Sequence, residues 1–350
     1  MAKSFRVGLV GWGLSGRYFH APFIRAVAGL ALTAVVTSRQ VDPDLFPGVQ
    51  TVGSFEALLA DDSLDLIVIA SPNHLHVPQA LAALAAGKHV VIEKPVGDTA
   101  VAIQQLITAA EAADRCAIPF QNRRWDGDFQ TVKKLIESGA LGEVHYYESH
   151  WPKYQPIPSQ RSAWKVAEGK TGGLLYDLGP HLIDQAIHLF GVPQSVYAQI
   201  RTQRPGGLTD DLVRINLTFA SGVHALLEVD ALNPFATPRF QVRGSAGAFQ
   251  KFGLDPQEAA LQAGAMPDEG LWGAELAEDW GEWVTAVSGM GVQGTVETVR
   301  GDYGAFYHGV YAAMLGEAAA PVALADTAVQ LAVIEAALRS SETGQVVAIG

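Results

Sequence analysis

Phe5-Arg6-Val7-Gly8-Leu9-Val10, followed at once by Gly11-Trp12-Gly13-Leu14-Ser15-Gly16, decides the fold. The first six residues are largely apolar and read as a buried strand, and Gly16–Ala28 carries helical spacing. A GxGxxG between a strand and a helix is the turn that cradles a dinucleotide pyrophosphate. Gly11 permits the tight turn, Gly13 lets the backbone approach the phosphates, and Gly16 allows close helix–strand packing. Free amides at the helix start complete the cradle. Trp12, Leu14 and Ser15 fill the loop and join the glycines as candidate cofactor contacts.

Moving outward, Leu32–Thr37, Leu66–Ala70 and His89–Ile92 read as further buried strands. Ser54–Ala60, Pro78–Ala86 and Thr99–Ala113 carry helical spacing between and after them. Strand–helix repetition of this kind predicts a parallel sheet with helices on both faces, a Rossmann domain over residues 1–121.

The pattern changes after Gln121. Val144–His150, Val196–Gln203, Leu212–Phe219, Val223–Asp230 and Phe240–Arg243 alternate in polarity, and Ser221-Gly222 is a hairpin signal. Residues 122–350 therefore read as a second domain on an antiparallel, one-faced sheet. Its uncovered face suits a second subunit, so homo-oligomerisation is expected. A last helix, 326–340, could pack on either domain.

Composition narrows the function classes. The 350 residues allow two cores, and 49% hydrophobic against 17% charged describes a folded chain. A net charge of −12 argues against nucleic acid or an anionic membrane as partner. No apolar run approaches a membrane span of about 20 residues. The N-terminal apolar run is too short for a signal peptide, and the single cysteine, Cys116, suits a reducing cytoplasm. One cysteine makes neither an internal disulfide nor a multi-thiolate metal site.

Several residues can carry chemistry. After the second strand, NAD sites usually place a carboxylate; here stand Thr37, Ser38 and Arg39, with Asp42 and Asp44 already in the following loop. A hydroxyl and a guanidinium suit a 2′-phosphate, which favours NADP(H) over NAD(H). The bland alternative makes Arg39 a solvated loop charge. Glu93-Lys94-Pro95 ends a parallel strand at the ligand-binding edge, and Ser71-Pro72-Asn73-His74-Leu75-His76 follows the preceding strand. Ser71, Asn73, His76, Glu93 and Lys94 are candidate cofactor contacts there, with a helix cap as the alternative for Asn73. In the second domain, Asp177, His181, Asp184 and His188 would share one face of a continuous helix. That stripe reads as an acid–base site, as partial metal ligation or as a structural pair. One helix face cannot wrap a metal, and no HExxH is present, so no metal is expected.

An imidazole base and an ammonium that favours a developing alkoxide suffice to oxidise a secondary alcohol with hydride transfer to nicotinamide. There is no GxSxG motif.

Together the GxGxxG, SPNHLH, EKP and GGLLYDLGPHLID motifs resemble the glucose–fructose oxidoreductase / inositol dehydrogenase / rhizopine catabolism (Gfo/Idh/MocA) family. They appear in that family's order and cover nearly the whole chain. GWGLSGRYFHAPFI and QNRRWDGDF are most similar to its NADP-dependent scyllo-inositol dehydrogenase branch. Val96-Gly97-Asp98 after EKP departs from a familiar member, outside residues with expected roles. The resemblance implies a second, α+β domain over residues 122–350, built on a large, mostly antiparallel open sheet that binds substrate and assembles the chain as a homodimer or homotetramer. It implies Lys94 beside nicotinamide and substrate, His181 as proton acceptor and Asp177 holding substrate hydroxyls. It places Asn122, Arg123, Arg124 and Trp125 near the cleft, as substrate or cofactor contacts or as interface packing. It allows a cis Lys94–Pro95 bond.

The expectation is an NADP-dependent oxidoreductase of a cyclic polyol or sugar. Its rivals are a non-catalytic NADP- and sugar-binding regulator on the same fold, and a reductase of another carbonyl, such as a keto-sugar or dihydrodiol-type compound.

Overall fold

A computed structural model describes residues 3–157, 172–267 and 270–349. The chain divides into two compact units. One comprises Met1–Trp125, Pro256–Trp272 and Asp302–Ala328; the other comprises Asp126–Asp255, Gly273–Gly301 and Val329–Gly350. No described helix is long and apolar enough to cross a membrane.

The first unit is built on six strands: β1 (Phe5–Val10), β2 (Leu30–Val36), β3 (Gln50–Val52), β4 (Leu66–Ile69), β5 (His89–Ile92) and β6 (Ala117–Pro119). All pair in parallel, in the order β3-β2-β1-β4-β5-β6. Every residue of β4 is fully buried, as are Val90, Val91 and Ile92 of β5, because helices cover both faces. That is why these strands show unbroken apolar runs. The crossovers carry α1 (Ala21–Ala26), α2 (Phe55–Leu59) and α3 (His76–Ala85), and α4 (Ala100–Ala113) precedes β6. Ser54 and Thr99 cap α2 and α4, accepting from the backbone N–H of Ala57 and Ala102. A later helix, Gly304–Met314, sends Phe306, Tyr307 and Val310 into the same core as Phe5, Phe23, Ile118 and Phe120. The strand order reverses between β1 and β4, so their carboxyl-end loops open the crevice where such sheets bind ligands.

The second unit contains β7 (Val144–Pro152), β8 (Pro193–Arg201), β9 (Leu212–Phe219), β10 (His224–Asp230), β11 (Phe240–Gly244), β12 (Gly247–Lys251), β13 (Gly281–Val287), β14 (Met290–Val296) and β15 (Val347–Ala348). They form one sheet ordered β14-β13-β12-β11-β7-β10-β9-β8-β15. Every pairing is antiparallel except β7 with β10. Gly222, at φ +87°, turns the β9–β10 hairpin. Helices α5 (Gly127–Glu137), α6 (Leu174–Asp177) and α7 (Gly179–Phe190) complete the unit, with α7 lying on β10. Ala225, Leu227 and Val229 form one, buried, set of β10 side chains. The opposite face carries Glu148 and His150 of β7, Arg214 of β9 and Glu228 of β10, linked as ion pairs. The last helix runs over Leu324–Thr343, and the division between units falls inside it. In its second-unit part, the hydroxyls of Ser340 and Ser341 accept from Ala198 and Ile200 of β8.

Candidate functional site

In the first unit, the glycine turn uses its three glycines for three different reasons. Gly11 has φ +100°, and a Cβ there would sit 2.4 Å from the Ala70 carbonyl oxygen. A Cβ on Gly16 would sit 2.2 Å from the Gly11 carbonyl oxygen, so the helix start and the turn touch directly. A Cβ on Gly13 would meet nothing within 4 Å. The backbone is thus exposed at the one position where phosphates must approach it, and the loop fits a dinucleotide pyrophosphate. Trp12 is anchored edge-on against Phe46 at 5.5 Å, while Leu14 is exposed.

At the end of β2, the Arg39 guanidinium donates to the Trp12 carbonyl at 3.3 Å. Its backbone N–H donates to the Thr37 hydroxyl, and Ser38 beside it is exposed. The loop carboxylate of Asp42 accepts from the backbone N–H groups of Asp44 and Leu45. A cation therefore lies over the glycine loop, and the nearby acid is engaged with its own turn.

At the end of β4, the Ser71 hydroxyl donates to Gln79, and Asn73 opens a 3₁₀ turn with no side-chain cap bond. His74 is exposed. His76 is 1% exposed, and its ring nitrogens each lie 2.8 Å from a carbonyl, those of Pro95 and Ser71. It thereby ties the residue after Lys94 to the β4 loop.

At the end of β5, Lys94 is half-buried and the Lys94–Pro95 peptide is cis. Glu93 is buried; its carboxylate accepts from the Ser15 hydroxyl and from the Lys94 N–H and pairs with His20 at 3.3 Å. Burial alone would raise its pKa. Hydrogen bonding and attraction from His20, the Ser15 bond and the Lys94 charge outweigh that and hold it at about 2.

Asn122, Arg123 and Arg124 are buried in a 3₁₀ turn. Arg123 donates to Tyr303 and pairs with Glu258, Arg124 pairs with Asp326, and Trp125 stands edge-on to Phe306. Every partner lies in the first unit.

In the second unit, the Gly172-Gly173 turn is built around Asp210. Gly173 has φ +89°, and a Cβ there would lie 2.0 Å from an Asp210 carboxylate oxygen. That carboxylate accepts from Leu175 N–H at 2.7 Å, and the Asp210 carbonyl accepts from Leu174. Burial pushes Asp210 up to about 6, only partly offset by these amides.

The helix expected to carry Asp177 and His181 on one face is interrupted between them. α6 ends at Asp177, Leu178 has φ −115°, and α7 starts at Gly179. Pro180 explains the break: it has no N–H to continue the ladder but is favourable in a first helical turn. Asp177 is half-buried at the end of one helix, and His181 is 5% exposed in the first turn of the next. The stripe ends there as a site, since Asp184 is buried while His188 is exposed 3.0 Å from Lys133 Nζ.

His181 stacks on Trp151 at 6.2 Å and 26°. Trp151 in turn carries the fully buried Arg239 guanidinium, 5.3 Å from its ring. Arg239 donates to Ser149 and Gln185 and faces Asp128 at 3.7 Å, and Gln330 donates to the Pro180 carbonyl. Trp151, Arg239 and Asp210 escape sequence reasoning because their contacts join residues far apart in the chain. Among the described residues, no group of three or more His, Cys, Asp or Glu could hold a metal ion.

The first unit, with its reversed parallel sheet and open glycine turn, is a dinucleotide-binding domain. The second supplies a wide mixed sheet and a buried histidine stacked on a tryptophan. Fold and residues together define a nucleotide-dependent oxidoreductase. The description "Oxidoreductase family, NAD-binding Rossmann fold" matches residues 5–120, and "Oxidoreductase family, C-terminal alpha/beta domain" matches residues 133–349. The chain belongs to this Gfo/Idh/MocA oxidoreductase family. It is 36% identical to scyllo-inositol 2-dehydrogenase (NADP(+)) of Bacillus subtilis, over 97% of this chain and 94% of the relative. It is 37% identical to an uncharacterized oxidoreductase of Escherichia coli, over 98% of both chains. The solved structure of an oxidoreductase from Bacillus cereus superposes with TM-score 0.90 at 28% identity, over 99% of both chains.

Proposed function

We propose that this oxidoreductase transfers a hydride between NADP(H) and a secondary alcohol or ketone of a cyclic polyol or sugar, with scyllo-inositol as the type of substrate. The observation that carries the cofactor choice is Arg39, whose guanidinium lies on the Trp12 carbonyl at the end of β2, where an NAD site would hold a carboxylate. The substrate class rests on the similarity to an inositol dehydrogenase.

In this reading residues 1–121 hold the dinucleotide, and residues 122–350 provide substrate binding and oligomerisation. Gly11, Gly13, Gly16 and the helix start bind the pyrophosphate, and Ser38 and Arg39 bind the 2′-phosphate. The cofactor supplies the hydride acceptor at C4 of its nicotinamide. His181 takes the hydroxyl proton, Lys94 favours the developing alkoxide, and Asp177 holds neighbouring hydroxyls. A second copy of the chain covers the ion-paired outer face of the second-unit sheet, and the enzyme works in the cytoplasm.

Arg39→Ala tests the cofactor assignment. Losing one guanidinium–phosphate contact removes about 1.5–3 kcal/mol, so NADP should bind roughly 10- to 150-fold more weakly. NAD affinity should stay within about threefold, since no 2′-phosphate is involved. Equal losses for both dinucleotides, or a wild-type preference for NAD, would exclude this assignment.

A further inference from the structure

The segment after the glycine loop is not an ordinary first helical turn. Ser15–His20 is π-helical, closed by Ala21 N–H on the Gly16 carbonyl. Such turns add a residue and redirect the side chains that follow. Here His20 is directed into the core, with no exposure and its ring 4.3 Å from that of Phe120. Its Nδ1 lies 2.6 Å from the Tyr307 hydroxyl, and its Nε2 lies 3.3 Å from Glu93 Oε1.

Glu93 is the junction of this arrangement. One carboxylate oxygen accepts from Ser15, inside the glycine loop, and the other accepts from the backbone N–H of Lys94. A single buried anion thus joins the dinucleotide turn to the lysine. A buried carboxylate keeps its place only while its neighbours hold it. The His20 ring stands against Glu93 Oε1, and Tyr307, wholly buried behind it, fixes the ring.

We propose that His20, backed by Tyr307, is a positioning residue that acts through Glu93 to hold the glycine loop and Lys94 in one geometry. Dinucleotide affinity and lysine placement then depend on the same pair. This rests on the oxidoreductase reading above. Without the imidazole, the carboxylate turns toward solvent, Ser15 is released and the loop loses its fixed shape.

The test is a double-mutant cycle on dinucleotide affinity, using His20→Asn, Glu93→Gln and the double variant. NADP and NAD are each titrated against tryptophan fluorescence. Each single variant should weaken binding of the preferred dinucleotide about tenfold, the size of one lost charged hydrogen bond. The double variant should bind no more weakly than Glu93→Gln alone, because His20 acts only through Glu93. In steady state, KM for the dinucleotide should rise while KM for the polyol stays constant, a split that general loosening of the fold would not give. Tyr307→Phe, which removes one hydroxyl from the core, should give a smaller loss of about threefold and keeps the test open if His20→Asn does not fold. Additive losses in the double variant, or wild-type affinity in His20→Asn and Tyr307→Phe, would overturn the proposal. Wild-type protein that binds neither dinucleotide would overturn the cofactor reading and this inference together.

Discussion

Gly13→Ala should separate ligand binding from stability at the centre of the glycine loop. The added methyl meets nothing within 4 Å, so the ligand-free protein should keep its unfolding free energy to within about 0.5 kcal/mol. Pyrophosphate oxygens must come within about 2.9 Å of the same backbone to take its hydrogen bonds, and the methyl stands in their way. Losing one or two charge-assisted bonds at about 1.5–3 kcal/mol each weakens dinucleotide binding by roughly 10- to 10⁴-fold. Gly16→Ala gives the opposite pattern. Its methyl would lie 2.2 Å from the Gly11 carbonyl oxygen, against an ordinary contact of 3.4–4 Å. Helix and turn must separate by more than about 1 Å, an overpacking cost of about 1–3 kcal/mol that should lower Tm by several degrees. Fluorescence titration with NADP and a thermal melt of each ligand-free variant measure both quantities. Gly13→Ala with wild-type affinity, or with a Tm loss equal to that of Gly16→Ala, would refute the assignment of the open side of this loop to the pyrophosphate.

Lys94→Ala should reduce kcat by about 10²- to 10⁴-fold while dinucleotide affinity stays within about threefold, and near-wild-type turnover would remove Lys94 from the chemistry. His181→Ala should lose turnover throughout pH 6–9; full activity across that range would discard it as the base. A third prediction concerns stability. Burial would lower the pKa of His150, but hydrogen bonds and attraction from Glu148 and Glu228 raise it from 6.5 to about 9. A base whose pKa is raised on folding adds stability that is fully present below pH 6.5 and is lost as the pH climbs through 9. The urea midpoint should fall between pH 7 and pH 10, and His150→Gln should flatten that slope; an unchanged slope would rule out His150 as its source.

How far the sequence revealed this molecule depended on whether its signals were local. β1, β2, β4 and β5 were legible because both faces of the first sheet are buried, which leaves unbroken apolar runs. β3 and β6 have three residues each, too few for any pattern. β13 and β14 escaped because their outer positions are exposed and Gly291 and Gly294 interrupt β14. The glycine loop, Arg39 and Glu93-Lys94-Pro95 stood out because their chemistry is local to one turn or one strand end. The single-helix reading of Asp177 and His181 counted residues four apart but underweighted Pro180, which ends the first helix and starts the second. The pairing of His20 with Tyr307 spans 287 positions, and no local periodicity signals it.

The most direct measurement follows absorbance at 340 nm with wild-type enzyme, crossing NADP+ and NAD+ with scyllo-inositol, myo-inositol, glucose and xylose. NADPH should form with at least one cyclic polyol or sugar, at a higher kcat/KM than with NAD+. Dinucleotide binding with no turnover on any member of the panel would instead describe a sensor, and a clear preference for NAD+ would contradict the role given to Arg39.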